Sequence, residues 1–146
     1  MFSSESIIKM GNGTLKNINN VRRGEFIMNK MNKPVRIDNI TQSNMNVVVV
    51  QLNNGTGIFY VSPNAKFLSH KVNNDGSHLL EKCSISEINT NGCMLKSSLK
   101  LFSANSNVSL TTYDNSDPNL TKMCYNITTL DNTNSFFVNG VIVLYD

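Results

Sequence analysis

The sequence predicts an all-β fold, and three observations carry that reading. About ten to twelve short segments rich in β-branched and aromatic residues recur between Gly-, Asn-, Asp- and Pro-containing turns, at the spacing of an all-β domain. No segment sustains the helical apolar period of about 3.6 residues, and neither heptads nor a short internal repeat is present. The composition, 40% hydrophobic and 16% charged over 146 residues, suits one globular domain, residues 1–146, with a real core.

The elements follow in order. "SIIKM" and "TLKNI" flank "GNG", whose glycines allow positive φ, and read as a β-hairpin. "NNVRRGEFIMN" turns at Gly24 into a strand, and "KPVRIDNITQS" is another, with Pro34 at its start. "NVVVVQL" is a continuous apolar run placed deep in the core, and "NNGTG" turns it into "IFYVS", a second hairpin. "AKFLSHKV" leads through the turn "NNDGS" to "HLLEKCSISEI", which fits a short helix or a strand, with Ser and Ile tilting it to strand. "NTNGCMLKSSLKLF" reads as turn and strand, and "VSLTTY" as a strand after "SANSN". "DNSDPN" is a loop marked by Pro118 and is expected to be the most flexible point. "KMCYNITTL", "DNTNS" and "FFVNGVIVLY" complete the chain. Without crossover helices a βαβ nucleotide fold is excluded, and "GNG" lacks the helix that a phosphate-cradling loop requires.

Charge and composition narrow the function classes. The net charge of +3 is scattered, and Arg22 and Arg23 form the one basic pair, read as a solvated turn, so no nucleic-acid partner is expected. "MFSSESIIKM" has no apolar signal region and no apolar run is long enough to span a bilayer, so neither export nor a membrane is expected. Three cysteines, Cys83, Cys93 and Cys124, cannot all pair, and are read as small core residues in a reducing, by default cytoplasmic, compartment. Asparagine fills about a sixth of the chain, dispersed as A/T-rich codon bias would place it on surfaces and turns. Asn-x-Thr triplets at Asn12 and Asn54 follow from that abundance and are weak glycosylation signals.

Conventional catalytic patterns are thin. His70, His78, Cys83 and Cys93 match no compact zinc-ligand pair, so no metal or cofactor is expected. A hydrolase using Ser62 or another Ser with His70 can be drawn, but Ser-rich chains always permit such a pairing. His70 lies five residues after Ala65, on the opposite face of an extended strand, and reads as a surface histidine. Tyr60, Phe59, Phe67, Phe136 and Phe137 read as core rather than as a ligand face. The final stretch, "NSFFVNGVIVLYD", reads as a buried strand, where chain ends usually fray, which suggests that the two ends converge.

Three blocks, in order, resemble the Hint family, the fold of inteins and Hedgehog autoprocessing domains. The opening carries Phe2, Ile7 with Ile8, Gly13 with Thr14, Lys16 with Ile18, and Gly24 with Glu25. "YVSPNAKF" is similar to the central block T-P-x-H-x-F, and "YNITTLDNTNSFFVNGVIV" to Y-[DN]-L-T-V followed by F-x-x-N-G-x-x-V. Residues 72–122 lie outside the resemblance. It implies a compact horseshoe-like disc of bent hairpins, with Phe2 and Val143 on adjacent bonded strands and Ser62 facing the amino group. It also implies self-processing: a nucleophile at position 1 attacks the preceding peptide carbonyl in an acyl shift, a His donates a proton to the departing nitrogen, and the ester is then captured. The partners are the domain's own flanking segments, and the domain is expected to be a monomer.

Carried over by position, the pattern departs from the family at its reactive points. Met1 stands at the nucleophile position and its thioether has no proton to lose. Ser62 replaces Thr and keeps the hydroxyl. Ala65 stands where the proton-donating His should be. Asn126 stands where many inteins have Asp, and Leu144 with Tyr145 replace the terminal His-Asn, so Asn cyclisation is not available. Asn139 and Gly140 match as a turn or bulge device. The resemblance therefore implies a processing domain that is inactive or impaired in this form, either altered at Met1 and Ala65 or descended with the fold kept and the reaction lost. A non-catalytic β-domain for protein interaction is the alternative.

Overall fold

The computed structural model describes residues 1–100 and 104–145. Its strands are β1 (Phe2–Ser3), β2 (Ile7–Lys9), β3 (Leu15–Asn17), β4 (Phe26–Met28), β5 (Pro34–Asn46), β6 (Val48–Leu52), β7 (Phe59–Val61), β8 (Lys66–Val72), β9 (His78–Ser84), β10 (Met94–Lys96), β11 (Asn107–Val108), β12 (Leu110–Asp114), β13 (Thr121–Thr129), β14 (Ser135–Val138) and β15 (Val141–Leu144). Among the described residues one α-helix, α1 (Ile85–Asn91), interrupts them.

The strands form two curled antiparallel sheets. The first runs β12-β6-β7-β1-β13-β5-β4; the second runs β11-β10-β8-β15-β14-β2-β3, with β9 paired on β8. The expected hairpins are present: Ile7 pairs with Asn17 across the "GNG" turn, Val48 with Val61 across "NNGTG", and Lys66 with Ser84 across "NNDGS". The continuous apolar run of β6 is less deeply placed than its composition suggests, because Val48, Val50 and Leu52 point inward while Val49 and Gln51 are half-buried.

The segment 78–88 is both of the things it resembled. Its first half is β9; its second half opens α1, where Ser84 accepts a hydrogen bond from the Glu87 amide at 3.2 Å and donates to Glu87 Oε1 at 3.0 Å. That reciprocal cap, with Ile85 and Ile88 buried one turn apart, overrides weak strand preference. Gly92, at φ 66°, closes the helix, so the first part of 89–102 is helix end rather than turn and strand. Leu101 and Phe102 of that stretch, and Ser103 before β11, lie outside the described residues.

The core fills the space between the sheets. Phe2 inserts from the first sheet edge-on against Phe67 and Phe136 of the second, with ring centroids 6.0 and 5.9 Å away. Phe2 and Val143 are therefore not on bonded neighbours. Phe2 pairs with Val61 and Tyr125, whereas Val143 pairs with Phe136 and Phe67 in the other sheet. The reason lies in the terminal hairpin: β15 uses one edge on β14 and the other on β8, leaving none for β1. Asn139 and Gly140, at φ 49° and 81°, make the tight turn of that hairpin.

Candidate functional site

Two local structures build the site. β1 is held between β7 and β13 at Phe2, which fixes the first residue against the end of β7. The chain then turns through Ser62–Pro63–Asn64–Ala65, where the Ala65 amide donates to the Ser62 carbonyl at 3.0 Å and proline occupies the second turn position. This turn aims the Ser62 side chain back along β1. The Met1 amino group donates to Ser62 Oγ at 3.0 Å, and the Ser62 amide donates to the Met1 carbonyl at 3.1 Å.

All six positions singled out in the sequence line one cleft of about 210 Å³: Met1, Ser62, Ala65, Asn126, Leu144 and Tyr145. The ends converge there although their strands belong to different sheets. Ala65 offers a methyl group to the cleft where the resemblance implies an imidazole. Lys66 and Asn64 also line it.

Burial lowers the pKa of the Met1 amine below its ordinary value, partly opposed by the nearby Cys124 thiol. Burial in turn raises the pKa of the Cys124 thiol, with the amine opposing and Glu5 adding to the rise. Cys124 thus carries its proton at neutral pH and behaves as a packed thiol. Cys83 and Cys93 are likewise free and buried.

The histidines take no part in this cleft. His70 is buried at 4% exposure rather than on the surface; its Nδ1 lies 3.1 Å from Asn107 Oδ1 and its Nε2 lies 2.9 Å from His78 Nδ1. The side chains of His78 on β9 and Asn107 on β11 meet both ring nitrogens and cover the ring. The Ser62–His70 pairing therefore has no geometry behind it, since each side chain is engaged elsewhere. Among the described residues no three His, Cys, Asp or Glu side chains are grouped to hold a metal, and no helix is long and apolar enough to cross a membrane.

Sequence reasoning missed the residues behind Tyr145. Its hydroxyl lies 2.5 Å from both the Thr129 amide and Thr129 Oγ1, and Thr129 Oγ1 lies 2.6 Å from Asp131 Oδ1. The available signal was the alternation Thr129, Asp131, Thr133, Ser135, small polar side chains on one side of a strand end and turn.

No family model matches the sequence, and no curated protein matches it. Solved structures do match in fold. The MchDnaB-1 intein superposes with a TM-score of 0.69 at 9% identity, covering 99% of this chain and 100% of that one. The gp41-1 intein gives 0.68 at 14% identity, covering 99% and 97%. The bacterial intein-like domain from Clostridium thermocellum gives 0.71 at 13% identity, again covering 99% and 97%. The chain has the all-β Hint fold of inteins and intein-like domains.

Proposed function

We propose that this chain is an intein-like self-processing domain, acting as one unit over residues 1–146, whose reaction is lost or severely impaired in this form. The observation that carries the reading is the position-1 nitrogen held 3.0 Å from Ser62 Oγ, in a cleft shared with Ala65 and Tyr145. In a precursor with a segment joined ahead of position 1, that nitrogen belongs to the junction peptide. A thiol or hydroxyl at position 1 would lose its proton and attack the preceding carbonyl. The carbon–nitrogen bond then breaks, the acyl group passes to sulfur or oxygen, and the nitrogen takes up a proton. Ser62 orients the peptide for this step.

The side chains present cannot complete it. The Met1 sulfur already carries two carbons and has no proton to give up. Ala65 has no proton for the departing nitrogen, and general acid catalysis alone contributes about 10²–10⁴-fold. The partners in this reading are the flanking segments themselves, with no cofactor. The alternative, a non-catalytic interaction domain, gives no reason for Met1 and Tyr145 to share a cleft.

The test adds an N-terminal segment and makes Met1→Cys together with Ala65→His. Thiol-dependent release of the added segment, unaffected by a chelator, is the expected result, with neither single substitution matching the pair. A folded double variant that stays intact in thiol refutes the proposal.

A further inference from the structure

We propose that Asp131 is a positioning residue of this cleft: through Thr129 it fixes the Tyr145 ring as the wall beside the position-1 junction. What the cleft does rests on the processing reading above; the anchor itself rests on geometry.

The hydrogen-bond directions are determined by elimination. The Thr129 amide can only donate, so it donates to the Tyr145 oxygen at 2.5 Å. The Asp131 carboxylate can only accept, so the single Thr129 hydroxyl proton goes to Oδ1 at 2.6 Å. Thr129 Oγ1 then accepts the phenol proton of Tyr145. The chain runs from Tyr145 O–H to Thr129 O–H to a carboxylate, a charge-assisted terminus that strengthens the bonds ahead of it.

The carboxylate is itself braced. Its Oδ2 accepts from Thr133 Oγ1 at 2.6 Å and from Asn29 Nδ2 at 3.0 Å. Asn29 is 3% exposed, and its oxygen ties down the amides of Met31 and Lys33 at the β4–β5 turn. Partial burial works to raise the Asp131 pKa, but hydrogen bonds from Thr129, Thr133 and Asn29 outweigh it and hold the carboxyl ionised well below neutral pH.

At the other end, the Tyr145 ring leans on Phe136 at 6.2 Å, and Phe136 packs against Phe2, the neighbour of Met1. The Tyr145 amide also donates to the Asn134 carbonyl at 3.0 Å. A fixed carboxylate thus sets a fixed phenol, which sets the aromatic contact behind the first residue.

The experiment separates this role from simple bracing of the 131–135 turn. Nuclear magnetic resonance spectra of ¹³C-tyrosine, ¹⁵N-labelled protein are compared for Thr129→Val, Asp131→Asn, Tyr145→Phe, Thr129→Ser and Thr133→Val. Thr129→Val and Asp131→Asn are expected to shift the Tyr145 ring signals and the Phe2 and Ser62 amides, and Tyr145→Phe the same amides. Thr129→Ser keeps the hydroxyl and leaves them in place, as does Thr133→Val, which removes one brace but not the relay. Unmoved signals in Thr129→Val or in Asp131→Asn, or equal shifts in Thr133→Val, overturn the proposal; if Thr129→Val does not fold, Asp131→Asn decides the same point.

In the precursor carrying Met1→Cys and Ala65→His, Thr129→Val should slow release about 10-fold and Thr129→Ser less than about twofold, the scale of a small misplacement in a reacting site. Equal rates overturn the functional half. A parent precursor that never cleaves refutes the processing reading, while the spectra still decide the anchor.

Discussion

At the scale of the residue, the site is a contest between burial and the neighbouring Cys124 thiol around one nitrogen. Burial takes water from the Met1 amine, the nearby Cys124 thiol opposes only in part, and so its pKa falls. Between the lowered folded value and the ordinary value of 8.0, the unfolded chain binds more protons than the folded one. Stability from this group therefore rises as pH climbs through that window and levels off above it. Comparing denaturant unfolding of the free and N-acetylated protein across pH isolates the effect, and the difference between them should flatten near pH 8.0. Ser62→Ala removes the oxygen that accepts from the amine at 3.0 Å and should cost about 1 kcal/mol in the same assay. Ser62 was legible in the sequence as the hydroxyl that the central block of the three-block resemblance carries over. The identity of what it faces was legible only through the three-block resemblance. Asp131 left only the alternation of small polar residues as a mark: it meets Tyr145 through Thr129, and nothing local in "TLDNT" announces a partner fourteen residues ahead.

At the scale of the element, turn chemistry made most of the hairpins readable. Gly13 and Gly55 adopt positive φ, as expected from "GNG" and "NNGTG". Asn139 does more than turn. Its amide donates to the Ile7 carbonyl and its Oδ1 accepts from the Ile7 amide, both at 2.8 Å, while its own carbonyl accepts from Asn54 Nδ2 at 2.8 Å. The turn therefore also ties β2 and the β6–β7 loop to the terminal hairpin. Asn139→Ala would take the Oδ1 acceptor from the half-buried Ile7 amide and put an alanine at φ 49°, so unfolding in urea should show a loss of about 2–4 kcal/mol. The milder contrast is α1, where Ser84→Ala should cost about 1 kcal/mol in the same measurement. The sequence left that segment open between helix and strand because the helix is seven residues long, too short for a period to establish itself, and only its capping pair carried the signal. The pairing of β1 was beyond the sequence for another reason: a two-residue strand has no pattern from which to choose partners, and its place follows from which edges the longer strands leave open.

At the scale of the whole molecule, Phe2 is the rivet between the sheets. It belongs to the first sheet by backbone and to the second by its ring contacts with Phe67 and Phe136. Phe2→Ala should lower unfolding free energy by about 3–5 kcal/mol, because the two curved sheets cannot collapse onto the space left behind. A loss below about 1 kcal/mol would mean that the sheets are held together elsewhere.

The strand order has a consequence for how such a molecule is made. β13 lies between β1 and β5, and β14 and β15 lie between β2 and β8, so the last quarter of the sequence supplies middle strands of both layers. A ribosome delivering the chain from its start would release β1, β2, β5 and β8 with gaps where their neighbours belong. Until residues 121–144 emerge, the earlier strands wait with open edges, a condition that favours misassociation and holds back final closure. Nascent chains halted before Thr121 should show little amide protection, and acquisition of the native state should be a late, concerted event.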